Sequence, residues 1–215
     1  MKKYQLIIFD WDGTLMDSID KIVLCMQQAA KQENQVLPSE GEIKNIVGLS
    51  LLNAMQQLFP LLSSSQHYEL VDAYRYQYKS HQHIETPFYD GIAELLLDLK
   101  SKGYILAVAT GKGRNGLNRM LQLTKTEHLF TATVCADEAN SKPDPLMINL
   151  LLDKLNVEPS QAIMVGDSSY DLEMAKNAGI DSLGVSYGVH DHQTLNLSKP
   201  IAIVDCLSSQ LYQYI

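Results

Sequence analysis

Two carboxylates stand directly after the first apolar run of the chain. Residues 6–9 lead into Asp10, Trp11 and Asp12, and Gly13 permits a sharp turn beside them. An apolar run rich in branched side chains predicts a buried parallel strand. Ligands of open α/β sheets bind outside the carboxyl ends of the strands, so chemistry is expected here. Two close carboxylates suit a hard cation such as Mg²⁺, although acidic residues at strand ends also shape turns or cap helices.

Two later stretches offer groups that could bind an anion. Thr110 and Gly111 follow an apolar run, and a hydroxyl, a close backbone and the N–H groups of the next helix suit a phosphate. A simple N-cap by Thr110 is the competing interpretation. Lys142 precedes the first of two prolines, which stiffen its loop. A lone loop lysine is more often a surface charge, but position and rigidity together favour a functional role.

A second pair of carboxylates follows the apolar run 162–166. Asp167 stands where a metal ligand is expected, and Asp171 can face the same site from the first turn of the next helix. Asp171 could also stabilise the N-terminus of that helix electrostatically. His190 lies in a later loop near the same edge and is interpreted as a surface residue.

The elements that position these residues divide the chain into two patterns. Residues 16–86 contain only helical signals, beginning with Ser18 as a predicted N-cap and including Gly48 as a helix-terminating residue. From Pro87 onward helices and strands alternate, which predicts a parallel sheet with helices on both faces. The fold class is therefore α/β, Rossmann-like, with an inserted all-helical cap. The predicted domains are a core of residues 1–15 and 87–215 and a cap of residues 16–86.

These four stretches, in this order and each at a strand end, resemble the motifs of the haloacid dehalogenase-like (HAD) hydrolases. The resemblance covers nearly the whole chain and points to the phosphoglycolate phosphatase and β-phosphoglucomutase-like branch with a helical cap. It implies that Asp10 is the nucleophile, Asp12 the general acid and base, and Thr110, Gly111 and Lys142 the phosphate-binding groups. It also implies that Mg²⁺ is bound by Asp10, the backbone carbonyl of Asp12 and Asp167, with Asp171 in support.

The implied activity is Mg²⁺-dependent hydrolysis of a small phosphomonoester through an aspartyl-phosphate, with 2-phosphoglycolate as the first candidate substrate. Dehalogenases of the family carry Tyr at the place of Asp12, so Asp12 favours phosphoryl transfer. Two alternatives stay open at this point. One is a phosphosugar mutase of the β-phosphoglucomutase type, and the other is a non-catalytic, Mg²⁺-binding switch similar to a receiver domain.

Charge and composition exclude several classes of partner. The formal net charge is −8, and the chain contains no block of Lys and Arg, which argues against nucleic acid or an anionic membrane as a partner. Three widely spaced cysteines fit a reduced compartment, and no run approaches the length of a membrane span. We therefore expect a cytoplasmic protein that acts on a small-molecule phosphate ester. Nothing in the sequence specifies an oligomeric state.

Overall fold

A computed structural model describes residues 3–215 and contains a parallel sheet on which the fold is built. The strands are β1 (Leu6–Phe9), β2 (Ile105–Thr110), β3 (Ala132–Cys135), β4 (Ala162–Gly166), β5 (Asp181–Val185) and β6 (Ala202–Val204). Their order across the sheet is β3-β2-β1-β4-β5-β6, and every neighbouring pair is parallel. The predicted α/β class is confirmed.

The first strand lies in the middle of the sheet and is buried on both faces. Its residue Leu6 pairs with Ile105 on one side and with Ala162 on the other. Ile7 and Phe9 belong to one apolar cluster and Leu6 and Ile8 to a second, which is the alternation expected of a strand covered on both sides.

Helices cover each face of the sheet. The helices that follow the inserted segment are α5 (Ile92–Ser101), α6 (Arg114–Thr124), α7 (Leu146–Leu155), α8 (Ser169–Asn177), α9 (His192–Leu197) and α10 (Leu207–Gln210). Their numbers follow those of the four helices of the segment inserted between β1 and α5. One cluster takes side chains from α5 and α6, and the other takes them from α7 and α8.

The segment between β1 and α5 is helical, as predicted, and has its own apolar cluster. Its helices are α1 (Ile19–Gln32), α2 (Glu40–Lys44), α3 (Leu51–Leu58) and α4 (Ser64–Ser80). Ser39 begins α2 with a capping box that includes Glu42, and the Ser50 side chain caps α3. Apolar side chains of the four helices pack together in a cluster separate from those on the sheet.

The two chain segments that join the helical unit to the sheet lie side by side. Met16 and Phe88 form an antiparallel bridge, Asp17 N donates to Pro87 O at 2.8 Å, and Tyr89 N donates to Leu15 O at 3.0 Å. We propose that residues 16–86 form the cap and that residues 1–15 and 87–215 form the core, because the chain crosses between the two units only at this paired connection.

The differences from the predicted elements are small. The sequence pattern predicts helices that begin at Asp90 and at Asp144, whereas α5 begins at Ile92 and α7 at Leu146. Within residues 3–215, no helix has the length and apolar character that a membrane crossing requires.

Candidate active site

Asp10 and Asp167 are brought together by the pairing of β1 with β4. Each follows the last residue of its strand, and Asp10 N continues the ladder by donating to Val165 O at 3.0 Å. Both carboxylates are buried. The turn after β1 must pass close to Asp167, because a Cβ atom on Gly13 would lie 2.2 Å from Asp167 Oδ2. Gly13 also has φ of +84°, which favours glycine, so both the backbone conformation and the lack of space exclude a side chain here.

Asp171 completes a cluster of three buried carboxylates. One ligand atom from each of Asp10, Asp167 and Asp171 lies within 4.8 Å of the others. Asp171 Oδ2 accepts hydrogen bonds from Ser168 Oγ at 2.7 Å and Ser168 N at 3.1 Å, which also caps α8. Asp171 therefore serves both the cluster and the helix N-terminus.

Lys142 is the cation inside this cluster. Its Nζ lies 2.8 Å from Asp10 Oδ1 and 2.6 Å from Asp171 Oδ1, and its side chain is fully buried. Burial alone would lower the pKa of Lys142, but the attraction of Asp10 and Asp171 is stronger and raises it. The competing interpretation of Lys142 as a surface charge is wrong, because its ammonium group is buried and paired with Asp10 and Asp171.

The carboxylates are not neutralised by Lys142 alone. Burial raises the pKa of Asp10 to about 7, with the attraction of Lys142 opposing it and the repulsion of Asp171 adding to it. Burial and the repulsion of Asp171 and Asp10 likewise raise the pKa of Asp167. Three carboxylates around one ammonium leave an excess of negative charge and hard oxygen donors, which is the chemistry that Mg²⁺ fits.

Asp12 has different surroundings from those of Asp10. Its Oδ2 lies 2.9 Å from Lys112 Nζ, and its Oδ1 accepts a hydrogen bond from Ser18 Oγ at 2.7 Å. The carboxylate lines a cavity between the cap and the sheet and lies outside the three-carboxylate cluster. Burial would lower the pKa of Lys112, but the attraction of Asp12 and other anionic groups raises it. The two aspartates of the first motif are thus suited to different tasks.

Thr110 lies at the end of β2, one strand away from Asp10. Its Oγ1 accepts a hydrogen bond from Lys112 N at 3.1 Å, whereas α6 begins only at Arg114 with Gly113 as its N-cap. The competing N-cap interpretation of Thr110 is therefore wrong. Fewer N–H groups at the start of α6 are open to an anion than the sequence predicts, because Arg114 N donates to the Asp137 carboxylate.

The cap loop around Gly48 closes over Gly111. A Cβ atom on Gly111 would lie 2.5 Å from the carbonyl oxygens of Gly48 and Leu49. Ser50 N donates to Ser141 Oγ at 2.8 Å, which joins the same cap loop to the loop of Lys142. The structure therefore presents the cap in contact with the site, and a cavity of about 1610 Å³ extends between the two units.

Several residues of this site escaped the sequence analysis. Ser18 is at the N-cap position of α1 but makes no capping bond there, because its hydroxyl donates to Asp12. Thr14 Oγ1 donates to Asp167 Oδ1 at 2.7 Å. His190 is buried rather than exposed, and its Nδ1 accepts a hydrogen bond from Ser169 N at 2.9 Å. Thr14 and Ser18 lie within the first motif and Lys112 is adjacent to Gly111 in the second, so their positions were the available signal, whereas no local pattern indicated the burial of His190.

Comparisons with known proteins agree with this geometry. The chain is 31% identical over 219 residues to a phosphoglycolate phosphatase of Vibrio cholerae, covering 98% of this chain and 97% of the relative. It is 31% identical over 222 residues to a pyrophosphatase of Bacillus velezensis, covering 98% of this chain and 96% of the relative. A crystal structure of a predicted phosphoglycolate phosphatase from Haemophilus somnus superposes with a TM-score of 0.89 at 27% identity, covering 100% of both chains.

The family model for haloacid dehalogenase-like hydrolases matches residues 7–185, a range that begins in β1 and ends with β5. All four stretches that carry the candidate site lie inside that range. The resemblance that the motifs indicated is confirmed, and the chain belongs to the haloacid dehalogenase-like hydrolase family.

Proposed function

We propose that this chain is a Mg²⁺-dependent phosphatase that hydrolyses a small phosphomonoester through an aspartyl-phosphate on Asp10. The observation that supports this most strongly is the contrast between Asp10 and Asp12. Asp10 is buried against Lys142 and two further carboxylates, whereas Asp12 lies outside that cluster, beside Lys112 and Ser18. A nucleophile and a proton-transfer group, two residues apart on one strand end, are what this reaction needs.

In the first step a carboxylate oxygen of Asp10 attacks phosphorus and the bond to the leaving oxygen breaks. Asp12 donates a proton to that oxygen, so that the product departs as a neutral alcohol. In the second step Asp12 accepts a proton from water, and the resulting nucleophile attacks the phosphorus of the aspartyl-phosphate. Asp10 is released as a carboxylate, and phosphate leaves.

The negative charge of the transferring phosphoryl group must be balanced throughout. The ammonium group of Lys142 and the hydroxyl of Thr110, with the backbone at Gly111, would pair with its oxygens. Asp10, the backbone carbonyl of Asp12 and Asp167 would hold Mg²⁺, with Asp171 in support. When bound, Mg²⁺ supplies positive charge beside the phosphoryl oxygens and the nucleophile.

We propose 2-phosphoglycolate as the first candidate substrate, followed by other sugar and nucleotide monophosphates. The phosphoglycolate phosphatase relative from Vibrio cholerae supports this choice, and the pyrophosphatase relative from Bacillus velezensis is a reason to test a wide panel. The cavity of about 1610 Å³ is larger than the ~300–1,000 Å³ of a typical ligand site. Its position beneath the cap favours small molecules over protein or polynucleotide substrates.

A panel of metabolite phosphates tests the proposal by phosphate release in the presence of Mg²⁺. We expect turnover of at least one small phosphomonoester and none by the Asp10→Asn variant, because the amide is nearly isosteric but cannot act as a nucleophile. The matched control is Asp153→Asn on the exposed side of α7, which should keep wild-type turnover. Conversion of a sugar phosphate to its isomer without phosphate release would identify a mutase instead. A complete absence of metal-dependent turnover would favour the other alternative, a non-catalytic, Mg²⁺-binding switch similar to a receiver domain.

The acid role of Asp12 predicts a dependence on the leaving group. The Asp12→Ala variant should lose ~10²–10⁴-fold in kcat/KM with an alkyl phosphate, the usual value of general acid catalysis. The loss should be smaller with p-nitrophenyl phosphate, because nitrophenolate departs without a proton. Both substrates are measured at saturating Mg²⁺, and equal losses on the two would show that Asp12 does not protonate the leaving oxygen.

The carboxylate cluster predicts stabilisation by Mg²⁺. At a concentration about 100 times its Kd, a metal that binds only the folded state raises the free energy of unfolding by ~2.7 kcal/mol. Thermal unfolding detects this as a rise in Tm. The rise should be lost in Asp167→Asn, while the metal-free variant stays at least as stable as the wild type because one buried negative charge is removed. An undiminished rise in Tm for this variant would contradict the role of Asp167.

A further inference from the structure

Lys21 is a buried cation on the cap side of the cavity. It lies in the first turn of α1, its residue exposure is 7%, and it lines the same cavity as Asp10 and Asp12. The catalytic steps described above do not use it. Lysine is rarely buried to this extent unless its charge is paired.

The groups around Lys21 Nζ do not neutralise it. Nζ donates a hydrogen bond to Ile84 O at 3.0 Å and lies 4.6 Å from the ring centroid of Tyr78. Within residues 3–215, no carboxylate forms an ion pair with Lys21. Cys25 lies one helical turn further on, but burial raises the pKa of its thiol to about 11, so it stays neutral. Lys21 thus has a carbonyl and an aromatic face as partners, and both are uncharged.

Two positive charges, on Arg119 and Lys112, act on Lys21 and disfavour its protonated form. Burial is the largest effect that lowers the pKa of Lys21, and Arg119 and Lys112 lower it further. A buried cation without a counter-charge is costly, and an anion that enters the cavity would offset that cost. This identifies the missing partner as a negatively charged part of a ligand.

Tyr78 connects Lys21 to the catalytic groups. Its ring centroid lies 4.6 Å from Lys21 Nζ and 5.1 Å from Lys112 Nζ, and Lys112 Nζ lies 2.9 Å from Asp12 Oδ2. In the proposed mechanism Asp12 protonates the leaving oxygen, so the alcohol part of the substrate is on this side of the site. From there it can extend along the Tyr78 ring toward Lys21.

We infer that Lys21, with Tyr78, forms a subsite for a second anionic group on the alcohol part of the substrate. The inference rests on the proposed phosphatase function and narrows it to one class of ester. The preferred substrates are phosphomonoesters whose leaving group carries a carboxylate. Lys21 is a specificity-determining residue in this account and takes no part in bond breaking.

A purely structural role predicts a different behaviour. The bond from Lys21 to Ile84 O attaches α1 to the chain just before the connection at Pro87. If this attachment were its whole role, removing the ammonium group would impair the closing of the cap on every substrate to the same degree. The two roles are therefore distinguished by comparing substrates that differ only in the second charge.

The test uses matched pairs of esters: 2-phosphoglycolate with 2-hydroxyethyl phosphate, and 3-phosphoglycerate with glycerol 3-phosphate. For the wild type we expect kcat/KM to favour the anionic member of at least one pair. In Lys21→Met this preference should fall by about tenfold or more, mainly through KM. A tenfold change corresponds to the loss of one charge-assisted hydrogen bond. Lys21→Arg should retain most of the preference, and Lys31→Met, at the exposed end of α1, should keep all of it.

Either of two kinetic results would overturn the inference: a wild type without preference in either pair, or equal losses on both members of each pair in Lys21→Met. Calorimetric titration of Asp10→Asn with 2-phosphoglycolate and 2-hydroxyethyl phosphate gives a readout that does not need turnover. Tighter binding of the anionic ester, lost when Lys21→Met is added, supports the subsite even if the phosphatase proposal fails. Turnover without that difference in binding would leave the phosphatase proposal standing and remove the subsite.

Discussion

The rest of the site depends on the burial of three carboxylates, two of them paired with one ammonium group, beside the carboxyl ends of the adjacent strands β1 and β4. Asp10, Asp167 and Asp171 repel one another, and Lys142 compensates only part of their charge. The surrounding chain holds them in place through specific bonds. Thr14 Oγ1 and Val189 N donate to Asp167, while Ser168 donates to Asp171. The site keeps an excess of negative charge. A divalent cation would offset it and would also attract the phosphoryl group of a substrate.

Close packing of the backbone makes this cluster possible. A Cβ atom on Gly166 would lie 2.3 Å from Asp171 Cβ, so the end of β4 leaves no room for a side chain beside the carboxylates. The cap loop also packs closely against the site, because a Cβ atom on Gly111 would lie 2.5 Å from the carbonyl oxygen of Gly48. One connection to the cap leaves from the end of β1, so the cap is joined to the sheet directly beside Asp10 and Asp12.

The general plan of the molecule was available from the sequence because it depends on local patterns. Alternating helices and strands after Pro87 predicted the parallel sheet. Ser39 and Glu42 have the spacing of a capping box, a sequence pattern that predicts a helix start, and α2 begins there. The short strand β6 was missed, since three residues are too few for a periodic signal. Ser18 was assigned to the N-cap from its position in the chain, whereas its hydroxyl donates to Asp12, a tertiary contact without a local pattern. Lys21 shares a helix face with Cys25, but its lack of a counter-charge is visible only once the cavity is seen.

The central claim is that Asp10 carries the phosphoryl group during the reaction. The direct measurement mixes the protein with a turned-over ester and Mg²⁺, stops the reaction with acid at successive times, and maps the digest by mass spectrometry. The account predicts a peptide that gains one phosphoryl group on Asp10 during turnover and loses it when the substrate is exhausted. Phosphate release at full rate with no phosphoryl group on Asp10 at any time, or with the group on a different residue, would contradict it.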